Sequence, residues 1–131
     1  MSTVLTFEAL DEEELAKLVE QDKATEKDGK RLFCAACRRL ITSEALRISV
    51  NGAEEHSFSN PHGIEFHIAC FSEAEGCGQI GVPTEEWTWF PGYRWRLAVC
   101  MDCGTHLGWG FSADAGDAFY GLILDRLLSE S

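Results

Sequence analysis

The sequence predicts a mostly β domain, largely antiparallel, that follows a short helical extension. Two observations lead to this fold class: short apolar or alternating segments recur along the chain, and turn residues such as Asn51-Gly52 and Pro91-Gly92 separate them. The chain has 131 residues, the size of one domain, and its 45% hydrophobic residues suffice for a core. We expect residues 31–131 to form the β domain and residues 1–30 to form a separate segment.

The first thirty residues differ from the rest in charge and in pattern, with nine acidic and four basic side chains. Asp11 and Glu14 make a capping-box pattern at the start of an apolar helical periodicity. That periodicity is formed by Leu10, Leu15, Leu18 and Val19. The pattern predicts a short amphipathic helix near residues 11–21, followed by a polar linker over residues 22–30.

The strand candidates are defined by the turn residues between them. Asn51-Gly52 is a strong hairpin pattern directly after residues 45–50. Residues 119–128 are ambiguous, because their apolar spacing suits a helix and their aromatic start suits a strand. The remaining candidate strands are residues 64–71, 79–82, 95–99 and 105–111.

Composition disfavours several classes of function. The net charge is −11, from 22 acidic and 11 basic residues, and such a surface repels the phosphates of nucleic acids and anionic lipids. The sequence contains no apolar run of the roughly 18 residues that a membrane span needs. Its beginning carries acidic residues in place of a secretory signal. We therefore expect a cytoplasmic protein with neither nucleic acid nor membrane as a partner.

The cysteines predict a metal centre. Cys34 and Cys37 form one pair, Cys100 and Cys103 form the other, and 62 residues separate the two pairs. Two such pairs supply the four thiolates of a structural Zn²⁺ site. Such a site would join two distant parts of the β domain. The alternatives are a thioredoxin-like redox pair, which would require a βαβ context, and a set of buried thiols.

The other possible metal ligands show no ligand spacing. Six residues separate Cys70 from Cys77, a gap that matches no Cys-x-x-Cys knuckle, so we expect them to be ordinary core or surface thiols. We expect ordinary structural roles for the four histidines as well. They are His56, His62, His67 and His106.

Aromatic residues are concentrated towards the carboxyl-terminal half. All four tryptophans lie between Trp87 and Trp109. Trp109 and Phe111 are two residues apart on a predicted strand and therefore face the same side. An indole ring has both an apolar face and an N–H donor, so several of them together suit either a core or a cage around a ligand. Spacing alone leaves both interpretations open.

Four separated motifs resemble, in order and spacing, the CULT domain family, the thalidomide-binding domain of cereblon. The similarity covers about residues 32–128. The motifs are Cys34-x-x-Cys37, Phe58-Ser59-Asn60-Pro61-x-Gly63, Trp89-Phe90-Pro91-Gly92-Tyr93-x-Trp95, and Cys100-x-x-Cys103-x-x-His106-Leu107-Gly108-Trp109-x-Phe111.

The resemblance implies a β-tent fold, in which two antiparallel sheets are pinned at one end by a Cys₄ zinc site. It implies that residues 119–128 form the closing strand, and that Asn60 and Pro61 lie in a loop covering a pocket. It also implies a stand-alone, bacterial-type member of the family. The implied metal ligands are Cys34, Cys37, Cys100 and Cys103, and the implied cage consists of Trp89, Trp95 and Trp109, closed by Phe111.

Members of this family bind cyclic imides of the glutarimide type, and uridine and cyclised carboxy-terminal imides are proposed natural ligands. An imide edge carries two acceptors around one donor, which backbone groups of Trp87, Thr88 and Trp89 would match. Cereblon has a histidine in place of Trp87, so only backbone contacts transfer there. The segment of cereblon that docks on a ubiquitin-ligase adaptor has no counterpart here, so we expect no such partner.

The resemblance therefore predicts a non-enzymatic binding module for a small cyclic imide. An enzyme is the first alternative, because methionine sulfoxide reductase B shares the β-tent fold. Its catalytic thiol would have to be Cys70 or Cys77, without an evident base. A cage for a cationic ligand is the second alternative, since indole faces attract quaternary ammonium groups. A zinc-stabilised structural domain is the third.

Overall fold

A computed structural model describes residues 30–130 of the chain. The helix predicted at residues 11–21 and most of the predicted linker lie outside the described residues. Within them, no helix is long and apolar enough to cross a membrane.

Nine strands and two short 3₁₀ turns make up the described part of the chain, so the predicted mostly β architecture is confirmed. The 3₁₀ turns are Glu44–Leu46 and Leu124–Arg126. The strands are β1 Arg31–Cys34, β2 Leu40–Ser43, β3 Glu55–Ser59, β4 Glu65–Phe71, β5 Cys77–Thr84, β6 Tyr93–Cys100, β7 His106–Ala113, β8 Ala118–Ile123 and β9 Leu127–Ser129.

The strands form two antiparallel sheets, as the family resemblance predicts. The smaller sheet has three strands in the order β2-β1-β9. The larger has six strands in the order β3-β4-β8-β7-β6-β5. Its centre is the meander from β6 to β8, in which Trp95 pairs with Phe111 and Trp109 with Gly121. This register places the central aromatic side chains of adjacent strands side by side on one face of the sheet.

The strand expected at residues 45–50 is wrong. The Ser43 hydroxyl accepts a hydrogen bond from the Ala45 N–H at 3.0 Å and caps a 3₁₀ turn over Glu44–Leu46. The Asn51-Gly52 turn does form, with φ angles of 53° and 88°. It connects only a single bridge, between Val50 and Ala53. The chain before the turn contacts the end of β4 instead, through an isolated bridge between Arg47 and Phe71 and a hydrogen bond of 3.0 Å from the Ile48 N–H to the Cys70 carbonyl oxygen.

Residues 119–128 form two strands in place of the one closing strand expected from the resemblance. β8 pairs with β4 and β7 in the large sheet, and β9 pairs with β1 in the small sheet. The 3₁₀ turn Leu124–Arg126 lies between them and redirects the chain. This segment is therefore one of the two connections between the sheets, and the other runs from β2 to β3.

Two groups of buried side chains form the core. One lies near the cysteine pairs and includes Phe71 and Leu107, while the other lies behind the tryptophans and includes Phe90 and Phe111. Close packing in the second group requires Gly121, where a Cβ atom would lie 2.9 Å from Ile68 Cδ1 and 3.1 Å from Phe111 Cε2. A side chain at that position would push aside the end of the Ile68 side chain and crowd the Phe111 ring.

Candidate functional site

The two cysteine pairs meet in space, as their spacing predicts. The Sγ atoms of all four cysteines lie within 4.8 Å of one another. The Sγ–Sγ distance is 3.7 Å between Cys34 and Cys103 and 3.5 Å between Cys37 and Cys100. In a tetrahedral site with Zn–S bonds of about 2.3 Å, the sulfur atoms lie about 3.8 Å apart. These four residues therefore fit a metal ion of that size and geometry.

The two Cys-x-x-Cys turns, here called knuckles, have the same backbone geometry. In each, the residue after the second cysteine has a positive φ angle, 71° at Arg38 and 79° at Gly104. Its N–H donates to the carbonyl oxygen of the first cysteine, at 2.8 Å for Cys34 and 2.9 Å for Cys100. An ion pair of 2.8 Å between Arg39 and Asp102 then joins one knuckle to the other.

Hydrogen bonding distinguishes the thiols in their readiness to ionise. The Thr105 hydroxyl lies 3.0 Å from Cys103 Sγ and, with the Thr105 backbone, lowers the pKa of Cys103 to about 6. A backbone hydrogen bond from Arg39 also favours the thiolate of Cys37. Desolvation and the neighbouring cysteines outweigh it and raise the pKa of Cys37 to about 12. A metal ion that binds all four thiolates must therefore displace protons.

The remaining two cysteines are core thiols, as expected. Cys70 is fully buried and Cys77 is 8% exposed. Burial raises the pKa of Cys70 to about 11 and that of Cys77 to about 12. Neither thiol is poised as a nucleophile at neutral pH.

A cavity of about 610 Å³ opens beside the tryptophans. This volume lies within the range of about 300–1,000 Å³ that is usual for small-molecule sites. The cavity is lined by Asn60, Pro61, His62, Phe66, Trp87, Trp89, Trp95, His106, Trp109 and Phe111.

Seven of the eight ligand-binding residues expected from the sequence line this cavity, and Thr88 is the exception. The Thr88 hydroxyl instead lies 3.4 Å from the Phe90 N–H and 3.3 Å from the Phe90 carbonyl oxygen. Sequence reasoning missed three lining residues, His62, Phe66 and His106. Phe66 faces the tryptophans only because β4 and β7 both pair with β8, which no local pattern reveals.

The tryptophan rings are held by contacts that do not involve a ligand. The indole N–H of Trp89 donates to the Ser59 carbonyl oxygen at 3.2 Å, and that of Trp95 donates to the Glu86 carbonyl oxygen at 2.7 Å. The Trp89 and Trp109 ring centroids are 4.7 Å apart at an interplanar angle of 72°. The two rings therefore form adjacent, nearly perpendicular walls.

The loop between β3 and β4 is braced by Asn60. Its Oδ1 accepts hydrogen bonds from the N–H groups of His62 and Ile64, both at 2.9 Å. Gly63 closes the turn with a φ angle of 84°. The side-chain oxygen of Asn60 therefore supports the loop beside the cavity and is already occupied.

The segment at Trp87 has an unusual backbone. Trp87 has a φ angle of 60°, a left-handed conformation that is unfavourable for a bulky residue, and its side chain is 66% exposed. The Thr88 N–H donates to the Glu85 carbonyl oxygen at 3.1 Å. Within residues 30–130, the Trp87 N–H, the Trp87 carbonyl and the Trp89 N–H have no hydrogen-bond partner. The carbonyls of Thr88 and Trp89 have no partner there either, so the segment offers two donors and three acceptors, among which the Trp87 carbonyl stands between the two donors in the chain.

The comparisons with known proteins agree with this architecture. No family model matches the chain. The chain is 36% identical to protein cereblon of Danio rerio over 104 residues and 38% identical to protein cereblon of Gallus gallus over 104 residues. It is 32% identical to protein cereblon of Drosophila melanogaster over 95 residues. These alignments cover 74%, 74% and 70% of this chain.

The chain carries a cereblon-like CULT domain. The alignments span only 24%, 23% and 16% of the lengths of these three cereblon proteins. The cereblon-like domain is thus about a quarter or less of the full cereblon chain. The likeness concerns this domain and does not extend to the activity or partners of whole cereblon.

Proposed function

We propose that this domain is a non-enzymatic receptor that binds a neutral, planar cyclic imide in the aromatic cavity. The observation that carries the proposal is that, among the described residues, the Trp87 N–H, the Trp87 carbonyl and the Trp89 N–H are unpartnered. An imide edge presents acceptor, donor and acceptor in that order, and two N–H groups around one carbonyl are its complement. Glutarimides of the thalidomide type, uracil-like rings and cyclised carboxy-terminal imides share this edge.

The cavity walls support a flat and compact ring. Trp89 and Trp95 use their N–H groups on backbone carbonyls, so they can offer their apolar faces to aliphatic CH₂ groups. Phe111 is 2% exposed and belongs to the buried group behind the tryptophans. An analogue that cannot donate to the Trp87 carbonyl would leave that acceptor unpaired, at a cost of about 1–3 kcal/mol.

We propose that the metal is Zn²⁺ and that its role is structural. It would be held by Cys34, Cys37, Cys100 and Cys103, whose sulfur separations match a tetrahedral thiolate shell. Bound there, it would supply a link between the two knuckles, and through them between β1 and the end of β6. No reaction step is assigned to it.

A cationic ligand suits the cavity less well than a neutral ring. Among residues 30–130, no carboxylate lines the cavity. The guanidinium carbon of Arg126 lies 5.9 Å from the centroid of the Phe66 ring, which does line it. A positive charge beside the wall opposes the entry of another. The reductase alternative is disfavoured too, because Cys70 and Cys77 are buried, have raised pKa values and are absent from the cavity lining.

The proposal is tested by titrating the metal-loaded protein with a glutarimide while following tryptophan fluorescence. Saturable quenching is expected for the imide and none for its N-methylated form, which cannot donate a hydrogen bond. A parallel titration with choline tests the cationic alternative. Equal responses to both imides, or a response to choline alone from folded protein, would overturn the proposal.

A further inference from the structure

Arg126 occupies a junction between the metal end and the cavity. It ends the 3₁₀ turn Leu124–Arg126, where the chain passes from the large sheet to the small one, and it is half-buried. Its carbonyl oxygen accepts a hydrogen bond of 3.0 Å from the N–H of Ala35, which lies between the two cysteines of the first knuckle. The backbone of Arg126 is thereby fixed to the first cysteine knuckle, while its side chain extends towards the cavity lining.

The Arg126 guanidinium contacts two cavity-lining residues. Its Nη1 donates to the His106 carbonyl oxygen at 2.8 Å and lies 3.5 Å from His106 Nδ1. Its central carbon lies 5.9 Å from the centroid of the Phe66 ring. A planar cation in this position can hold a histidine by hydrogen bonding and a phenyl ring by stacking at the same time.

These contacts determine the form of the His106 ring. His106 Nε2 lies 2.9 Å from the Gly108 carbonyl oxygen, which can only accept, so Nε2 carries the proton. Nδ1 is then unprotonated and directs its lone pair at a guanidinium that can only donate. Burial, and secondarily the charge of Arg126, lower the pKa of His106, which favours the neutral ring.

The fixed imidazole in turn packs on the cage. The His106 and Trp109 ring centroids are 4.9 Å apart at 89°, and those of Phe66 and Trp109 are 5.2 Å apart at 76°. His106 and Phe66 thus both press edge-to-face on Trp109. A single guanidinium links the two rings that position this tryptophan.

We propose that Arg126 is a positioning residue of the cavity, which fixes the position of the His106 ring and holds the wall formed by Phe66, His106 and Trp109. Its effect on affinity rests on the proposed function, but its effect on the wall does not. Lysine cannot fully replace it, because an ammonium group has no planar face to stack on the Phe66 ring.

The test compares Arg126→Met and Arg126→Lys with Arg96→Met. Arg96 is a matched control, because it also donates to backbone carbonyls, those of Gly81 and Gln79, but does not line the cavity. The first readout needs no ligand. NMR contacts between the ring protons of His106 and Trp109 should be kept in the wild type and in Arg96→Met and weakened in both Arg126 variants. The pKa of His106 should also rise in Arg126→Met, which removes the cation beside Nδ1.

The second readout is glutarimide affinity. Arg126→Met should weaken it by about tenfold, with Arg126→Lys intermediate and Arg96→Met unchanged. Bound metal and the melting temperature show that each variant is folded, and Arg126→Lys serves if Arg126→Met does not fold. Unchanged contacts between the His106 and Trp109 rings in the folded Arg126 variants would overturn the inference. If wild-type protein binds no imide, the proposed function fails while the ligand-free NMR readout still decides the role of Arg126.

Discussion

The cysteine cluster and the aromatic cavity share strand β6 but are held together differently. Strand β6 carries Trp95 near its start and Cys100 at its end, about 17 Å apart along an extended chain. At the cysteine end, four thiols converge with only weak sulfur hydrogen bonds between them. At the cavity, the rings pack edge-to-face and two of the indoles are hydrogen-bonded to backbone carbonyls.

This difference separates a region for which we propose a bound metal from one whose walls are already packed. In that proposal, the metal would replace the thiol protons and join the four cysteines. The cavity walls have their shape in the absence of ligand, which reduces the ordering cost of binding. Metal loss should therefore affect folding, whereas loss of a half-buried wall residue such as Trp95 should affect recognition more than folding.

The largest expected effect is that of removing the metal. Cys100→Ser, or a strong chelator applied to the wild type, should unfold the junction between the sheets and abolish cooperative thermal melting, because structural zinc contributes on the order of 10 kcal/mol in small domains. Far-UV circular dichroism with a metal assay measures this. Cys70→Ala is the control, since it removes a core thiol and no ligand. A chelated protein that melts like the metal-loaded one would contradict the comparison.

Next in size is the loss of the buried aromatic residue behind the cage. Phe111→Ala should lower the free energy of unfolding by about 3–5 kcal/mol, because it leaves a void beside Phe90 and Phe119. Urea denaturation of the metal-loaded protein measures it. The metal content should stay at that of the wild type. A loss of bound metal in Phe111→Ala would show that the cysteine cluster and the cavity depend on each other for stability.

A smaller effect on stability, with a large effect on binding, is expected for Trp95→Ala. The ring is only half-buried, so its removal should cost far less stability than that of Phe111. Glutarimide affinity should fall by at least about tenfold, as for an aromatic anchor at an interface. Fluorescence and calorimetric titrations of the folded variant measure this, and unchanged affinity would remove Trp95 from the cage.

Trp87→Gly should change stability in the opposite direction. Glycine accepts the left-handed conformation at this position, so the free energy of unfolding should rise by up to about 1 kcal/mol. The backbone groups proposed to meet the imide remain, so binding should change less than in Trp95→Ala. Urea denaturation and imide titration test both parts, and a clear loss of stability would show that the exposed indole has a packing role.

The smallest effect is expected away from both regions, at Glu55. Its carboxylate accepts hydrogen bonds from Arg47 and His67 at 2.7 and 2.8 Å, and these lower its pKa. A carboxyl group whose pKa is lowered by folding stabilises the folded state at pH values above its ordinary pKa of 4.5. That contribution is lost as the pH falls through the lower pKa of the folded state. Glu55→Gln should thus cost about 0.5 kcal/mol or less at neutral pH. The difference should vanish in acid, and one that persists there would have another cause.

The sequence predicts those parts of the site that depend on short-range spacing. The Cys-x-x-Cys pairs assemble as expected because a knuckle is a local structure. Trp109 and Phe111 share a face because strand alternation is also local. His106 was assigned an ordinary structural role, yet it lines the cavity, and its contact with Arg126 spans 20 residues.

The two errors in the fold have a common physical origin. Residues 45–50 and 119–128 both have strand-like composition. Each includes residues of a 3₁₀ turn, and after that turn the chain pairs with a different strand. The Ser43 cap and the crossing from β8 to β9 depend on which strand is available as a partner. Composition does not contain that information.

The close approach of Trp89 and Trp109 also gives the cavity an optical property. Two indole chromophores whose centroids are 4.7 Å apart at 72° share their electronic excitation, and a fixed skewed pair produces a signed couplet in circular dichroism. The sign and size of that couplet follow the angle between the rings. The circular dichroism of the ligand-free domain therefore reports the angle between these two cavity walls without any attached label.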